Sequence, residues 1–336
     1  MYIALNLLNH AGPCFKCIMC RDVSIGVLGK NSAWILRYSM RSLKGAIDTL
    51  RDEGVKAEVI YVDGGSTDNS KEVVGDILGN DVRIIDAANT NIPEARNIVI
   101  KESSGDCIAY WDSDVIAPPY ILAMLINANK PIISTKRTDI YVNSDGEIQK
   151  ILDNAMSTKP REPLIKEVPF TVFGVNLFER VVFEKVGLFD NRLTQAEDRD
   201  FGLRAACHGY KSYLIESETV YDINRRFKSE IPITTSLKQY VRGIHKKAAI
   251  YAYTGSKRQK SLGEAFVILH AITIASVFLE PPLTSIELLP LIYQVLRYGP
   301  RKGLEMWLKS LVFYTMLGLV YPIVKFSNIC DILNNW

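Results

Sequence analysis

The feature that most constrains this chain is an apolar run, Cys107 to Trp111, that ends in two carboxylates, Asp112 and Asp114. The run is short and follows a break at Ser104-Gly105, and a helix-like segment, Pro93 to Ser103, precedes it; it therefore reads as a buried strand. Upstream the same alternation repeats. A strand beginning at Val23 breaks at Gly29-Lys30-Asn31, a helix follows from Ala33 to about Arg51, and strands at Ala57 to Val62 and Val82 to Asp86 each lead into a further helix. Strands and helices in strict alternation build a parallel sheet from right-handed crossovers. Ligands of such sheets bind beyond the carboxyl ends of the strands, where Asp112-Ser113-Asp114 falls. Carboxylates spaced this way suit a hard divalent cation that shares its oxygen ligands with phosphates. An ordinary turn is the competing reading, because Asp and Ser are common after strands.

The other strand ends carry similar chemistry. Gly26 to Gly29 lacks the G-x-G-x-x-G spacing of a dinucleotide fingerprint. Asp63-Gly64-Gly65-Ser66-Thr67-Asp68 is either a well-made strand-to-helix turn, with Thr67 or Asp68 as cap, or a carboxylate placed to reach a nucleotide base or ribose. Downstream, Lys136 to Lys166 is less regular and is expected to form a hairpin turning at Asn143-Ser144-Asp145-Gly146.

VSIGVLGKN, then VIYVDGGSTDNS, then IPEARNIVIKESSGDCIAYWDSD, followed by Gly187-Leu188-Phe189-Asp190, Glu197-Asp198 and Gly209-Tyr210, resemble glycosyltransferase family 2 in order and spacing. The resemblance covers about Val23 to Ile223. It implies the GT-A fold, a Rossmann-like, mostly parallel sheet flanked by helices. It further implies a nucleoside-diphosphate sugar donor held by Leu28, Asn31, Asp63, Arg96 and Asp112, and a Mn2+ or Mg2+ ion bound by Asp114 with Asp112. Asp198 becomes the general base of a single inverting displacement without a covalent intermediate. Asp198 also suits a helix N-cap. Glu197, Arg225 and Arg226 are implied phosphate or acceptor contacts. One departure stands out: many relatives place a histidine where this chain has Val220-Tyr221-Asp222, so either Asp222 ligates the cation or the role is missing.

Length and charge bound the alternatives. A chain of 336 residues, 48% hydrophobic, accommodates one large α/β domain and more. A net charge of +3 is too small for a nucleic-acid binder. The local cluster from Arg225 to Lys260 is basic, opposed only by Glu230, and fits either a solvated helix face or an anionic membrane surface. Six cysteines show no disulfide framework, which points to a reducing compartment. Cys14, Cys17 and Cys20 lack a fourth ligand in register beyond His10 or Asp22, so an irregular leader is expected there, and residues 1–18 do not read as an export signal.

The final eighty-odd residues are apolar in three runs, Ala265 to Leu279, Leu283 to Leu296 and Ser310 to Val324, with Pro281-Pro282 after the first. Each is shorter than the roughly 20 residues that cross a bilayer comfortably, so buried helices or a homo-oligomer contact stay open. Basic residues before the first run and between the second and third, with Tyr298, Trp307, Tyr314 and Tyr321, favour a helical hairpin plus a third membrane or interfacial helix, with the catalytic domain cytoplasmic. A cleft held at a bilayer suits a lipid-linked acceptor: a polyprenyl phosphate, a polyprenyl-linked sugar or a glycolipid. The expected organisation is an extension over 1–22, a GT-A domain over 23–235, a basic helical linker over 236–263 and a hydrophobic membrane region over 264–336. Two other functions compete. A sugar-phosphate nucleotidylyltransferase calls for a Gly-rich basic loop after the first strand, which is not found. A non-catalytic membrane scaffold is opposed by the joint presence of Asp63, Arg96, Asp112, Asp114 and Asp198.

Overall fold

The computed structural model describes residues 20–171, 173–193, 195–225, 243–254, 261, 263–265, 268, 288–326 and 328–335. Strands β1 (Asp22–Gly29), β2 (Lys56–Asp63), β3 (Val82–Asp86) and β4 (Cys107–Trp111) lie parallel in the order 3-2-1-4. Helices α1 (Ala33–Asp52), α2 (Ser70–Leu78) and α3 (Ile92–Glu102) connect them. The order reverses between β1 and β4, and that switch point opens a crevice at the carboxyl ends of the strands. The expected elements recur here within a few residues.

These strands are legible because both faces are buried. Cys107, Ala109 and Trp111 of β4 face the cluster containing Leu36, Met40, Leu43 and Ile47 of α1. Ile108 and Tyr110 face the opposite cluster, with Val99 of α3. Alternation of period two across a strand and an apolar stripe of period 3.6 along α1 thus meet in one core. α3 approaches β1 so closely that a Cβ on Gly26 would lie 2.6 Å from a Val99 methyl. Asn91 caps α3 in a reciprocal capping box with Glu94, and Pro93 stands in the first turn.

Beyond β4 the sheet is mixed. β8 (Val175–Glu179) runs antiparallel to β4, followed by β6 (Ile132–Val142), β9 (Ser212–Arg225) and the two-residue β5 (Val115–Ile116); β7 (Ile165–Val168) also pairs with β9. α4 (Ile121–Asn127), α6 (Arg180–Val186) and α7 (Glu197–Cys207) cover this half. The expected hairpin at 143–146 does not form. Instead α5 (Asp145–Ser157) starts there, because Ser144 accepts from the Glu147 amide while the Glu147 carboxylate accepts from the Asn143 amide at 2.9 Å.

Of the C-terminal helices α8 (Ile244–Thr254), α9 (Leu288–Tyr298), α10 (Pro300–Phe326) and α11 (Ile329–Asn335), α8, α10 and α11 pack on the domain and α9 packs on α10. Ala248 and Ile250 of α8, Phe313, Leu317 and Val320 of α10, and Ile332 of α11 share a cluster with Leu193, Ala196 and Leu203 at the α7 side of the sheet. Among the described residues one helix, over 300–324, is long and apolar enough to cross a membrane. Most of the first apolar run, the diproline turn, Cys14, Cys17 and Arg226 lie outside the described residues.

Two expectations change. Cys20 is bonded to Cys107, and Cys207 of α7 to Cys330 of α11, so four of the six cysteines are paired. The partners are 87 and 123 residues apart, a separation that leaves no trace in local spacing. Within the basic linker, Lys246 and Lys247 are buried at 4% exposure each and present no charged face to solvent or lipid.

Candidate active site

Four loops meet at the carboxyl edge of the sheet. The β1–α1 and β2–α2 loops are stapled together: the Asn31 side chain accepts from the Thr67 amide at 2.8 Å, the Asn31 amide donates to Ser66 Oγ at 2.9 Å, and Asp68 accepts from the Ala33 amide at 3.1 Å. Asp63 is 1% exposed, and its carboxylate accepts from the amides of Gly65 and Ser66 and from the Ser66 hydroxyl. It therefore shapes the loop beside the crevice. Leu28 is half-buried against the α3 side of the core, and Asn31 is exposed at the rim.

The Asp112-Ser113-Asp114 loop is fixed from both sides. The Asp112 amide donates to Gly174 O at 3.0 Å, the Ile223 amide donates to Asp114 O at 2.9 Å, and the Trp111 indole donates to Val115 O at 3.1 Å and Ser39 Oγ at 3.2 Å. Strand β9 brings Asp222 opposite Val115. Burial pushes the Asp112 carboxyl up to about 6, with the Arg96 guanidinium opposing and Asp222 adding to the rise. Burial pushes Asp114 up to about 7, reinforced by Asp222 and Asp112. Asp222 is raised too, chiefly by burial; Arg137 on β6 opposes this with a nitrogen 3.4 Å away, and Asn224 donates to Asp222 at 3.0 Å.

Such a carboxylate group repels itself when ionised, and a hard divalent cation relieves the repulsion. Among the described residues no three His, Cys, Asp or Glu side chains converge as a ready ligand set. The donor set still fits Mg2+ or Mn2+, which take one or two carboxylates from a protein and complete their shell with water and substrate phosphate oxygens.

The opposite wall is the start of α7. Ala196 adopts a left-handed conformation (φ 66°) immediately before Glu197-Asp198, a backbone state that persists in L-residues only where its surroundings fix it. Asp198 is the second helical residue; the N-cap position belongs to Ala196. Its carboxylate accepts from the Arg199 amide at 2.7 Å, and burial followed by the neighbouring Glu197 charge raises it above the usual range.

Glu197 pairs with Arg96, both nearly enclosed. The Arg96 guanidinium carbon lies 3.3 Å from the Phe173 ring centroid, and its Nε finds no hydrogen-bond partner among the described residues. Arg96 thus faces Glu197, inside the protein. The adjacent Asn97 bonds to both backbone polar groups of Phe189 in the G-L-F-D turn. Arg225 pairs with Asp145 and stacks on Trp34, away from this wall.

Residues that sequence reasoning passed over complete the site. Lys246 of α8 bridges Asp190 at 2.9 Å and Asp200 at 3.0 Å, and Asp200 also binds Arg204. Burial alone would raise Asp190, but hydrogen bonds from Arg192 and Lys246 outweigh it and hold this carboxyl well below the usual range. Arg199 crosses to α8 as well, 3.3 Å from Thr254 Oγ1 and over the Tyr251 ring. Arg137 and Asp139 alternate along β6 and share a face with Asp222, a signal available to anyone reading 132–142 as a strand.

The family model described as "Glycosyl transferase family 2" matches residues 35–187. A glycosyltransferase of Bacillus subtilis (strain 168), EpsJ, is 24% identical over 217 residues, covering 59% of this chain and 62% of its own. The hyaluronan synthase of Pasteurella multocida is 30% identical over 155 residues, 44% of this chain and 16% of that protein. The crystal structure of GalNAc-T7 with UDP, GalNAc and Mn2+ superposes with a TM-score of 0.51 at 16% identity, over 69% of this chain and 50% of that one. The chain thus spans about half to two thirds of these two proteins' length, EpsJ and GalNAc-T7. The sheet and its flanking helices have the GT-A-like arrangement.

Proposed function

Starting from a glycosyl transferase family 2 domain over residues 35–187, we propose that this chain is an inverting glycosyltransferase that moves a sugar from a nucleoside diphosphate to a lipid-linked acceptor at a membrane surface. The observation that carries the reading is the pair of buried carboxylates Asp112 and Asp114 at the sheet switch point, with Asp112 within electrostatic reach of Arg96 and of Glu197, the residue before Asp198 at the start of α7. The related fold solved with UDP, GalNAc and Mn2+ supports the donor class and the cation.

Asp114 and Asp112 would hold Mn2+ or Mg2+, with Asp222 beside them. Bound there, the cation neutralises the charge that gathers on the departing nucleoside diphosphate. The loop carrying Asp63 and Asn31 forms the rim on the nucleotide side. Asp198 takes the proton of the acceptor hydroxyl as its oxygen attacks the anomeric carbon, while the bond from that carbon to the diphosphate oxygen breaks on the far face. A base raised by burial sits nearer to working pH and transfers protons more effectively than an ordinary carboxylate. Arg96 contributes through Glu197, by fixing where Asp198 stands.

The test is release of nucleoside diphosphate by the detergent-purified chain with Mn2+, lipid extract and a panel of UDP-, GDP- and dTDP-sugars, alongside Asp114→Ala. Release from one donor that requires lipid and metal and vanishes in the variant supports the reading. No release from any donor, together with no metal-dependent nucleotide binding, would move the assignment to a non-catalytic scaffold.

A further inference from the structure

Helix α10 is apolar on two opposite sides. One side, Phe313, Leu317, Val320 and Val324, is buried against α8 and the α7 region. On the opposite side Leu304 is 46% exposed, Leu319 54% and Ile323 49%, with Leu308 and Leu311 half-buried between them and Thr315, its hydroxyl buried, interrupting the row. α9, packed against the start of α10 through Val295 and Gly303, exposes Ile292 at 50%, Tyr293 at 56% and Leu296 at 82%. A monomer rarely leaves so long an apolar ridge open to water. Between Leu288 and Phe326 the only acidic residue is Glu305, which pairs with Lys309 on the same helix. Arg297 and Arg301 are exposed at the α9–α10 corner, with Lys302 partly so, and Arg297 stacks on Tyr298 beside Leu296.

We propose that α9 and α10 lie in the plane of an anionic bilayer, with their outer apolar ridge among the acyl chains and Arg297, Arg301 and Lys302 at the headgroups, so that the chain is attached to one leaflet by this surface. The one-sided apolar face of α9 and its basic end suit an interfacial helix, and tyrosines favour the headgroup level. The side of α10 that is fixed to the catalytic domain is what argues against a span: a helix crossing the bilayer would draw the α7–α8 wall, with Lys246 and Asp200, into hydrocarbon. The inference deepens the membrane reading above and needs no assumption about the reaction.

The experiment uses the full chain with Cys14 and Cys17 changed to Ser, mixed with phosphatidylcholine vesicles with and without phosphatidylglycerol, and scored by flotation. Binding is expected to rise with phosphatidylglycerol and fall with salt, to drop about fivefold with Arg301→Gln, and to drop tenfold or more with Leu296→Asp. Cysteines placed at Arg301 and at Asn328, near the two ends of α10, should both react with an impermeant maleimide added outside. Cysteine variants that float like the parent protein but have one of these two cysteines protected would overturn the in-plane mode while leaving membrane attachment standing. Protein that never floats and instead self-associates through the same residues would overturn both. Unchanged flotation of Leu296→Asp paired with Leu319→Glu would show that the attachment lies elsewhere.

Discussion

Replacing Arg96 with Met separates two accounts of this residue. The family resemblance gives it to the donor; the structure spends it on Glu197. Arg96 is 5% exposed and Glu197 9%, so removing the guanidinium strands a carboxylate in a poorly solvated place. Breaking one side of a buried pair typically destabilises by about 3–5 kcal/mol. The lost cation–π contact with Phe173 adds ~1 kcal/mol, which the Met side chain partly restores by packing. A net loss of about 4 kcal/mol corresponds to a fall in Tm on the order of 10 °C for a domain of this size. The companion Arg96→Met/Glu197→Met leaves an apolar pair of similar volume, an exchange that is often neutral, so about 3 kcal/mol should return. Thermal unfolding of the four proteins of this double-mutant cycle, followed by intrinsic fluorescence, reads the coupling directly. An unchanged Tm in Arg96→Met with weakened nucleotide binding would refute the argument, as would single-variant losses that merely add in the double variant.

Other substitutions probe the neighbouring groups. Asp190→Asn should lower stability at neutral pH. Because the folded carboxyl is depressed, the gap to wild type is full above its ordinary value near 3.8 and shrinks as pH falls below it, which a pH series of unfolding midpoints checks. Asp198→Asn should nearly abolish transfer to a sugar hydroxyl with nucleotide binding intact; substantial surviving turnover points to a phosphate acceptor, already ionised and independent of a base. Peptide mapping without reductant should recover Cys207 linked to Cys330, and its reduction should lower stability by about 2–4 kcal/mol; complete alkylation of both thiols in the native protein would rule the bridge out.

What the sequence disclosed follows a physical rule. Strands β1, β2 and β4 are buried on both faces, end in or just before Gly or Asp and alternate with helices, so local pattern and global fold agree there. The other half of the sheet departs from that pattern. β6 carries exposed Lys136, Arg137 and Asp139 and a register shift after Thr135, and β5 has only two residues, too few to show a period. At 143–146 the residues that favour a turn also favour a helix start, and only Glu147, three residues after Ser144, tips the balance. Lys246 and Lys247 misled because charge in a sequence reads as surface unless its partner is visible, and the partners lie some fifty residues away.

The same contrast explains how the two walls of the cleft are held. Asp112 and Asp114 belong to the sheet, and their loop is tied to β8 and β9 by backbone hydrogen bonds. Asp198 belongs to a helix with few ties of its own to the sheet, so its place depends on the residues flanking it. Glu197, one residue before, is anchored to α3 by Arg96; Asp200, two residues after, is anchored to α8 by Lys246; Arg199, between them, reaches Thr254. α8 in turn shares its apolar cluster with α10, the helix whose outer ridge faces away from the protein. The position of the candidate base is therefore set jointly by α3, through Arg96, and by the C-terminal helices. For that reason a chain cut before α8 should keep the Asp112–Asp114 loop in place better than Asp198, which divalent-cation binding and turnover measured on the cut chain would separate.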